Sequence, residues 1–485
     1  MSKFEDASNF LSRNNQYSLL PFRFSKLRDD QYYLTNFVGE GVSCSREELF
    51  TFSNLELDRN SALYTKLRQK GFCVDDESEV GLDLLGVKAA SRLSVLSEFT
   101  GLHMFVVTLR CEHSCPYCQV SRQNEDKGDY DMSEETAYRS IDLVFQSPSR
   151  ALKIEFQGGE SLLNFELIKK IVARAKEKQE GWRSLSFVIA TNLAIIDNDM
   201  LSFCDEHGID ISTSLDGPAA LHNKNRPRPG GNSHELAEAG IRLVQSRLGR
   251  DKVSALMTTT EESLNQPTEI IDEYLRLGLG GIFLRPLSPY GFAVKTKLYS
   301  KYRVDRWFEF YKQGLDYIID LNKAGMFFTE FYTQTILRKM LTHTGTGYVD
   351  LMSPAGIGIA GVVYNYDGLV YASDEGRMLA ESGDKTFVLG DVRKDSYEDI
   401  FTSDNLLTAI EESFTKSAPI CDECAFEEYC GADPVYHHAT QKDFVGNKAL
   451  SEFCSRNMLI FKHLINLLEK NDEVSRILKR WALSC

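Results

Sequence analysis

The chain has 485 residues, of which 42% are hydrophobic, 11% aromatic and 26% charged, an ordinary mix for a folded soluble protein. That length exceeds one ordinary core, so two to four units are expected. The net charge of −15 argues against non-specific nucleic-acid binding, which needs a cationic surface. The longest apolar runs, SFVIA (186–190) and GIAGVV (358–363), fall far below the ~20 residues that span a bilayer. The start, MSKFEDASNFLSRNN, lacks the apolar core of a signal peptide. A cytoplasmic protein with no nucleic-acid or membrane partner is expected.

Residues 1 to about 80 read as a small separate unit. YYLTNFVGE predicts a hairpin strand turning at Gly39, and SALYTKLRQKGF a short helix with Leu63 and Leu67 on one face and a stop at Gly71. Strands followed by short helices suggest a winged-helix-like module, and the acidic run DDESE (75–79) a solvated linker at its end. From about 100 to 325 strands and helices alternate. HMFVVTL (103–109), LKIEFQ (152–157), SLSFVIAT (184–191), IDISTSL (209–215), VSALMTT (253–259) and GIFLRPL (281–287) are short buried-strand runs. One intervening helix opens with Ser133 as N-cap and Glu134 and Glu135 in its first turn. Six β/α units imply a parallel sheet, curled as a partial barrel with its active loops at the strand C-termini. Helical runs near 304–323 and 326–342 lead out of it. GVVYNYDGLVYAS then carries an Asp-Gly hairpin signal at Asp367-Gly368. The tail from RNMLIFKHLINLLEK onward is an amphipathic helix expected to lie on the body.

Eleven cysteines in an intracellular chain do not suggest a disulfide framework. Cys44, Cys73, Cys204 and Cys485 are scattered and read as small buried apolar residues, whereas the clusters at 111–118 and 421–454 suggest metal sites. TLRCEHSCPYCQVSR, directly after the first core strand, spaces Cys111, Cys115 and Cys118 as Cys-x3-Cys-x2-Cys, with Tyr117 before the last. Three thiolates hold three irons of a cubane and leave the fourth open, where an ordinary ferredoxin cluster takes four cysteines. The competing reading is structural zinc with His113 as fourth ligand, but zinc favours paired Cys-x2-Cys knuckles.

These residues resemble the radical S-adenosylmethionine (SAM) superfamily. The resemblance implies a four-iron four-sulfur cluster, [4Fe-4S], whose open iron chelates SAM, so that one electron releases a 5′-deoxyadenosyl radical. In KIEFQGGESL, Gly158, Gly159 and Glu160 match the turn that binds the SAM amino group. In STSLDGPAALHNKNRP, Ser214 and Arg226 match contacts to the ribose or carboxylate, with Asp216 structural and His222 a packing residue. Asn192 of ATNL is a ribose candidate, and Leu284 with Arg285 matches the adenine-facing position. Tyr117 belongs to the same cofactor site.

Cys421-x2-Cys424-x5-Cys430, followed by Cys454, resembles the SPASM extension of peptide-modifying radical SAM enzymes. Two auxiliary clusters are usual there. The set for one is complete here, while the other would need cysteines where this chain has Pro434 and Ser373, and none lies between Cys204 and Cys421. One auxiliary [4Fe-4S] cluster is expected, with a zinc knuckle as the competing reading. Asp374 aligns with the proton acceptor of sulfatase-maturing relatives; the alternative is a turn cap in ASDEG. Asp433, His437 and His438 read as supporting or surface residues.

The whole chain looks like the radical SAM maturase of the His-Xaa-Ser peptide system, on phrases such as LHMFVVTLRC, LRPLSPYGF, YVDLMSPAG and CAFEEYCGADPVYHHATQ. The resemblance implies a peptide or protein substrate, companion maturation proteins and an electron donor such as flavodoxin or ferredoxin. Alternatives are sulfatase-type formylglycine maturation and a non-catalytic zinc- or cluster-binding scaffold. The expected domains are a peptide-recognition-like unit at 1–95, the radical SAM core at 96–325, a helical bridge at 326–350 and the SPASM-like unit at 351–485. In the family, units like the first add a leader peptide as an extra strand; a shielding subdomain is the alternative.

Overall fold

The computed structural model describes residues 17–75, 80–470 and 472–484. Residues 1–16, most of the acidic run, Asn471 and Cys485 lie outside them. The N-terminal unit comprises β1 (Ser18–Leu19), β2 (Phe22–Arg28), β3 (Gln31–Asn36), β4 (Gly41–Ser45) and β5 (Cys73–Val74), with β2-β3-β4 antiparallel. Gly39 makes the turn at φ +74. Ser45 caps the helix Arg46–Ser53 in a box with Glu48, and the helix Ala62–Gln69 ends before Gly71. Leu34, Val42, Phe52, Tyr64, Leu67 and Phe72 form a separate small core.

That unit docks on the distal cysteine segment. Arg23 pairs with Glu427 at 3.0 Å and donates to the Asp422 carbonyl at 2.7 Å, while Tyr429 donates to the Gly39 carbonyl at 3.0 Å. A helix, Val80–Leu93, follows, burying Leu85 and leaving Leu82, Leu84 and Val87 exposed.

The core contributes β6 (Leu102–Thr108), β7 (Ala151–Gly158), β8 (Ser184–Thr191), β9 (Asp210–Ser214) and β10 (Val253–Leu256), parallel neighbours in that order. Helices such as Glu134–Val144, capped by Ser133, supply the crossovers. The sixth expected strand is corrected. Only β11 (Gly281–Ile282) forms, and it pairs with β12 (Thr329–Glu330), not with the five-stranded sheet. Pro286 and Pro289 lack the N–H groups a longer ladder needs.

The other edge is extended instead. β13 (Gly361–Tyr364) runs parallel to β6, and β14 (Leu369–Tyr371) and β15 (Val388–Asp391) continue antiparallel. Eight strands thus form one sheet in the order β10-β9-β8-β7-β6-β13-β14-β15. The Asp367-Gly368 turn is present, with Gly368 at φ +88. The tail splits into Glu452–Lys470 and Asp472–Leu483, which pack on Val304–Lys323 and Phe331–Leu341. Among the described residues no helix is long and apolar enough to cross a membrane.

Candidate active site

The cysteine loop leaves β6 and closes on itself. Cys111 N donates to the Gln123 carbonyl at 3.0 Å and Gln123 N to the Leu109 carbonyl. Arg110 anchors its start by pairing with Asp131 at 2.7 Å. Ser114 N donates to the Pro227 carbonyl and Phe292 N to the Cys118 carbonyl, each at 2.8 Å, tying the loop to two other segments. Gly291 makes the second tie possible: at φ +57, a Cβ there would sit 2.4 Å from the Gln119 carbonyl oxygen.

Gly158 and Gly159 serve the same loop. A Cβ on Gly158 would lie 2.1 Å from the Thr108 oxygen, and one on Gly159 2.4 Å from the Arg110 oxygen. The close backbone approach expected toward a ligand is therefore made first to the cysteine loop.

A cleft of about 230 Å³ opens at the C-terminal ends of the strands. All three cysteines reach it, with Tyr117, Gly158, Gly159, Asn192, Ser214, Arg226 and Asp374. Glu160 and Leu284 do not line it. Glu160 is buried and accepts from Thr191 Oγ1 at 2.6 Å, Asn192 N at 2.7 Å and Leu162 N at 3.0 Å, which makes it a brace for the β8 turn. Leu284 is corrected to the core. A Cβ on Gly314 would meet its Cδ1 at 2.8 Å, and its neighbour Arg285 is the residue that reaches the cleft.

Asp216 is a structural hub. It accepts from Tyr117 Oη at 2.6 Å and Thr258 N at 3.2 Å, and it pairs with Arg226. Burial opposes its charge, but Arg226 and His222 hold its carboxyl below the usual range. His222 is the expected packing residue, accepting from Asp216 N at 3.2 Å and facing Ser233 Oγ at 3.1 Å. The amide of Asn192 lines the cleft but is occupied by Glu112 and Ala194 N.

The donor set fits a cluster with one open iron. Cys111, Cys115 and Cys118 carry no disulfide. Burial pushes the Cys111 thiol well up and Cys115 up to about 12, which metal binding has to offset by taking thiolates. Cys111, Glu112 and His113 lie within 4.8 Å as a possible zinc set. However, His113 spends Nδ1 on Glu112 at 2.8 Å and Nε2 on Ser233 at 2.7 Å. Of the buried polar atoms of the lining that lack a hydrogen-bond partner, Thr213 Oγ1 and Gln119 Nε2 are uncharged and suit a polar ligand. Sequence reading named neither, although Gln119 directly follows Cys118 and Thr213 directly precedes Ser214.

Asp374 opens the helix Asp374–Ala380, whose N-cap is Ser373. Arg377 is fully buried, donates to Asp374 Oδ1 at 3.1 Å and to the Val120 carbonyl at 3.2 Å, and so couples this helix to the cysteine loop. Pro434 begins the helix Pro434–Gln441, capped by Asp433.

The distal cysteines are also free of disulfides. Phe426 N donates to Cys424 Sγ at 3.4 Å and Asn457 Nδ2 to Cys430 Sγ at 3.5 Å. Burial first, then neighbouring charges that include the other thiols, raises Cys421, Cys424 and Cys454 to about 11. His437 is satisfied by the Asp433 carbonyl and Ser451, and His438 pairs with Asp384 at 2.9 Å. Cys44, Cys73 and Cys204 are buried, as expected.

Residues 105–274 match the sequence profile of the Radical SAM superfamily. An uncharacterised protein of Methanocaldococcus jannaschii is 34% identical over 111 residues, 23% of this chain and 37% of that one. A cysteine-type anaerobic sulfatase-maturating enzyme of Clostridium perfringens is 22% identical over 342 residues, 66% of this chain and 84% of that one. Among solved structures, native anSMEcpe with bound AdoMet and Kp18Cys peptide superposes with a TM-score of 0.65 at 17% identity, covering 79% of this chain and 99% of that one. The chain carries a radical SAM α/β fold with a partial barrel, and the cofactors of that superfamily are a [4Fe-4S] cluster and SAM.

Proposed function

We propose that the protein is a radical SAM enzyme that modifies a ribosomally made peptide or protein. Cys111, Cys115 and Cys118 are the cluster ligands in this reading. A [4Fe-4S] cluster held there, with SAM beside it, would supply the electron for reductive cleavage of a SAM carbon–sulfur bond and so a 5′-deoxyadenosyl radical. The observation that carries the reading is the triad's setting: three free thiols whose neighbouring histidine is committed to Glu112 and Ser233, beside a cleft that holds unpartnered polar atoms.

The chain's own residues then bind and orient. Thr213 and Ser214 offer hydroxyls to SAM, Gly158 and Gly159 offer backbone, and Arg226 adds a fixed positive charge. Tyr117 buttresses the loop through Asp216. Asp374 is the base: Arg377 holds Oδ1, which leaves Oδ2 to accept a proton from a substrate group.

Cys421, Cys424, Cys430 and Cys454 hold one auxiliary [4Fe-4S] cluster. All four thiols are free of disulfides and are therefore available to a metal. A second auxiliary cluster is disfavoured because Ser373 and Pro434 are committed to helix starts. The peptide substrate is supported by the peptide in the anSMEcpe structure and by the resemblance to the His-Xaa-Ser maturases. The same resemblance implies companion proteins and a flavodoxin- or ferredoxin-type donor.

Sulfatase-type conversion of Ser or Cys to formylglycine is the second reading, favoured by the Clostridium alignment. A pure scaffold would have no use for the cleft. Anaerobic reconstitution decides: about eight irons per chain are expected, with 5′-deoxyadenosine formed after SAM and reductant are added. Alanine at all three triad cysteines leaves about four irons and no deoxyadenosine. Zinc without SAM cleavage sinks the proposal. Mass spectrometry of a co-expressed neighbouring peptide then separates formylglycine from other modifications.

A further inference from the structure

Beside Cys430 lies a cavity of about 70 Å³ whose charged lining is Arg92, Lys339, Lys416, Glu427 and Glu428. Both carboxylates are already paired. Glu427 meets Arg23 at 3.0 Å and accepts from Thr415 Oγ1 at 2.6 Å, and Glu428 meets Lys416 at 3.1 Å. Two cations are left over. Lys339, on the helix Phe331–Leu341, donates to the carbonyls of Leu351 and Cys430. Arg92 donates to the carbonyls of Lys339 at 3.0 Å, Glu428 at 3.3 Å and Thr342 at 3.4 Å, and its Nε is buried with no partner. Among the described residues neither cation is in an ion pair.

This arrangement is unfavourable by itself. Burial opposes the charge on Lys339, the charge of Cys430 is the largest influence in its favour, and Arg92 opposes it again. A partly buried cation without a carboxylate needs some other anion to face it. A cubane on four thiolates is such an anion, and reduction gives it one more negative charge. Cys430 joins the two, since its carbonyl accepts from Lys339 and the residue lines the same cavity. A fixed cation at that distance stabilises the reduced state more than the oxidised one.

We propose that Lys339, backed by Arg92, is the built-in counter-charge of the distal cluster and raises its reduction potential. The backbone bonds hold the ammonium in place, so it acts as a fixed charge and not as a ligand. This rests on the reading of Cys421, Cys424, Cys430 and Cys454 as the ligands of one [4Fe-4S] cluster.

The test is an EPR-monitored redox titration of the full-length, anaerobically reconstituted protein. The distal signal is identified from the variant with alanine at all three triad cysteines. Lys339→Met should shift the distal equilibrium toward the oxidised form by tenfold or more, about 59 mV for one electron. Lys339→Arg keeps the charge and should stay within threefold of wild type. Arg92→Met should shift the equilibrium the same way as Lys339→Met, by threefold or more, and the first cluster should keep its potential throughout. An unmoved or raised distal potential in Lys339→Met overturns the counter-charge. So does an equal shift in Lys339→Arg or at the first cluster, which a general loss of structure would produce. Should Lys339→Met fail to hold distal iron, Arg92→Met decides by the same criterion. A wild type with about four irons per chain and no distal signal refutes the cluster reading beneath the proposal, whereas a distal signal that no variant moves refutes the counter-charge alone.

Discussion

Arg226 Nε lies 3.1 Å from Asp216 Oδ2, and the side chain of Asp216 is wholly buried beneath it. The pair fixes the floor of the cleft, because Asp216 also receives Tyr117 from the cysteine loop. Asp216→Asn strands a buried guanidinium, and removing one partner of such a pair costs about 3–5 kcal/mol. Urea unfolding should report that loss, and the double variant Asp216→Asn/Arg226→Leu should recover part of it. Equal stability of wild type and Asp216→Asn would refute the coupling.

Glu160 predicts a pH dependence. Burial, then the charge of Glu112, pushes its carboxyl from 4.5 up to about 7. An acid whose pKa is raised by folding binds its proton more tightly in the folded state. Its stabilising contribution is thus greatest at low pH and is lost as pH rises from 4.5 to 7. The decline attributable to Glu160 is roughly 3 kcal/mol, level above neutrality. Denaturation of the metal-free protein between pH 5 and 8 should show a steeper fall for wild type than for Glu160→Gln. Parallel curves would count against it.

Gly291 is the latch of the cysteine loop. An alanine there must hold φ near +57 with its Cβ 2.4 Å from the Gln119 oxygen. The strain is about 1–3 kcal/mol, and it releases the Phe292–Cys118 bond. Gly291→Ala should reconstitute with less iron at the first site and lose that iron faster in air, while iron at the distal cysteines is unaffected. Full iron retention would show that the latch is dispensable.

Asn457 tunes the distal site. Its amide donates to Cys430 Sγ at 3.5 Å, and N–H···S bonds favour the reduced, more negative cluster. Asn457→Leu should lower that cluster's potential. A bond worth about 1 kcal/mol corresponds to roughly 40 mV for one electron. An EPR-monitored redox titration reads the shift, and a rise in potential would contradict the assignment.

Much of the core was legible because buried parallel strands are continuous apolar runs. SLSFVIAT is the strand Ser184–Thr191 without adjustment. VSALMTT reads too long, because Met257 leaves the ladder to line the cleft. The Val80–Leu93 helix escaped notice because its apolar residues sit all round and show no single face. Glu160 and Leu284 show the limit of motif reasoning. A motif locates a backbone position at the right strand end, but whether the side chain turns to the cleft or the core depends on packing from elsewhere in the chain. The pairing of β13 with β6 was equally invisible, since strands 250 residues and more apart in sequence leave no local sign of their contact.

That pairing makes the two cysteine-bearing halves of the chain inseparable. Because Gly361–Tyr364 is laddered to Leu102–Phe105, the sheet that carries the first cysteine loop is completed only by strands from the second half. Cutting the chain at residue 350 would not yield a tidy catalytic half: it would bare the β6 edge as a template for intermolecular pairing.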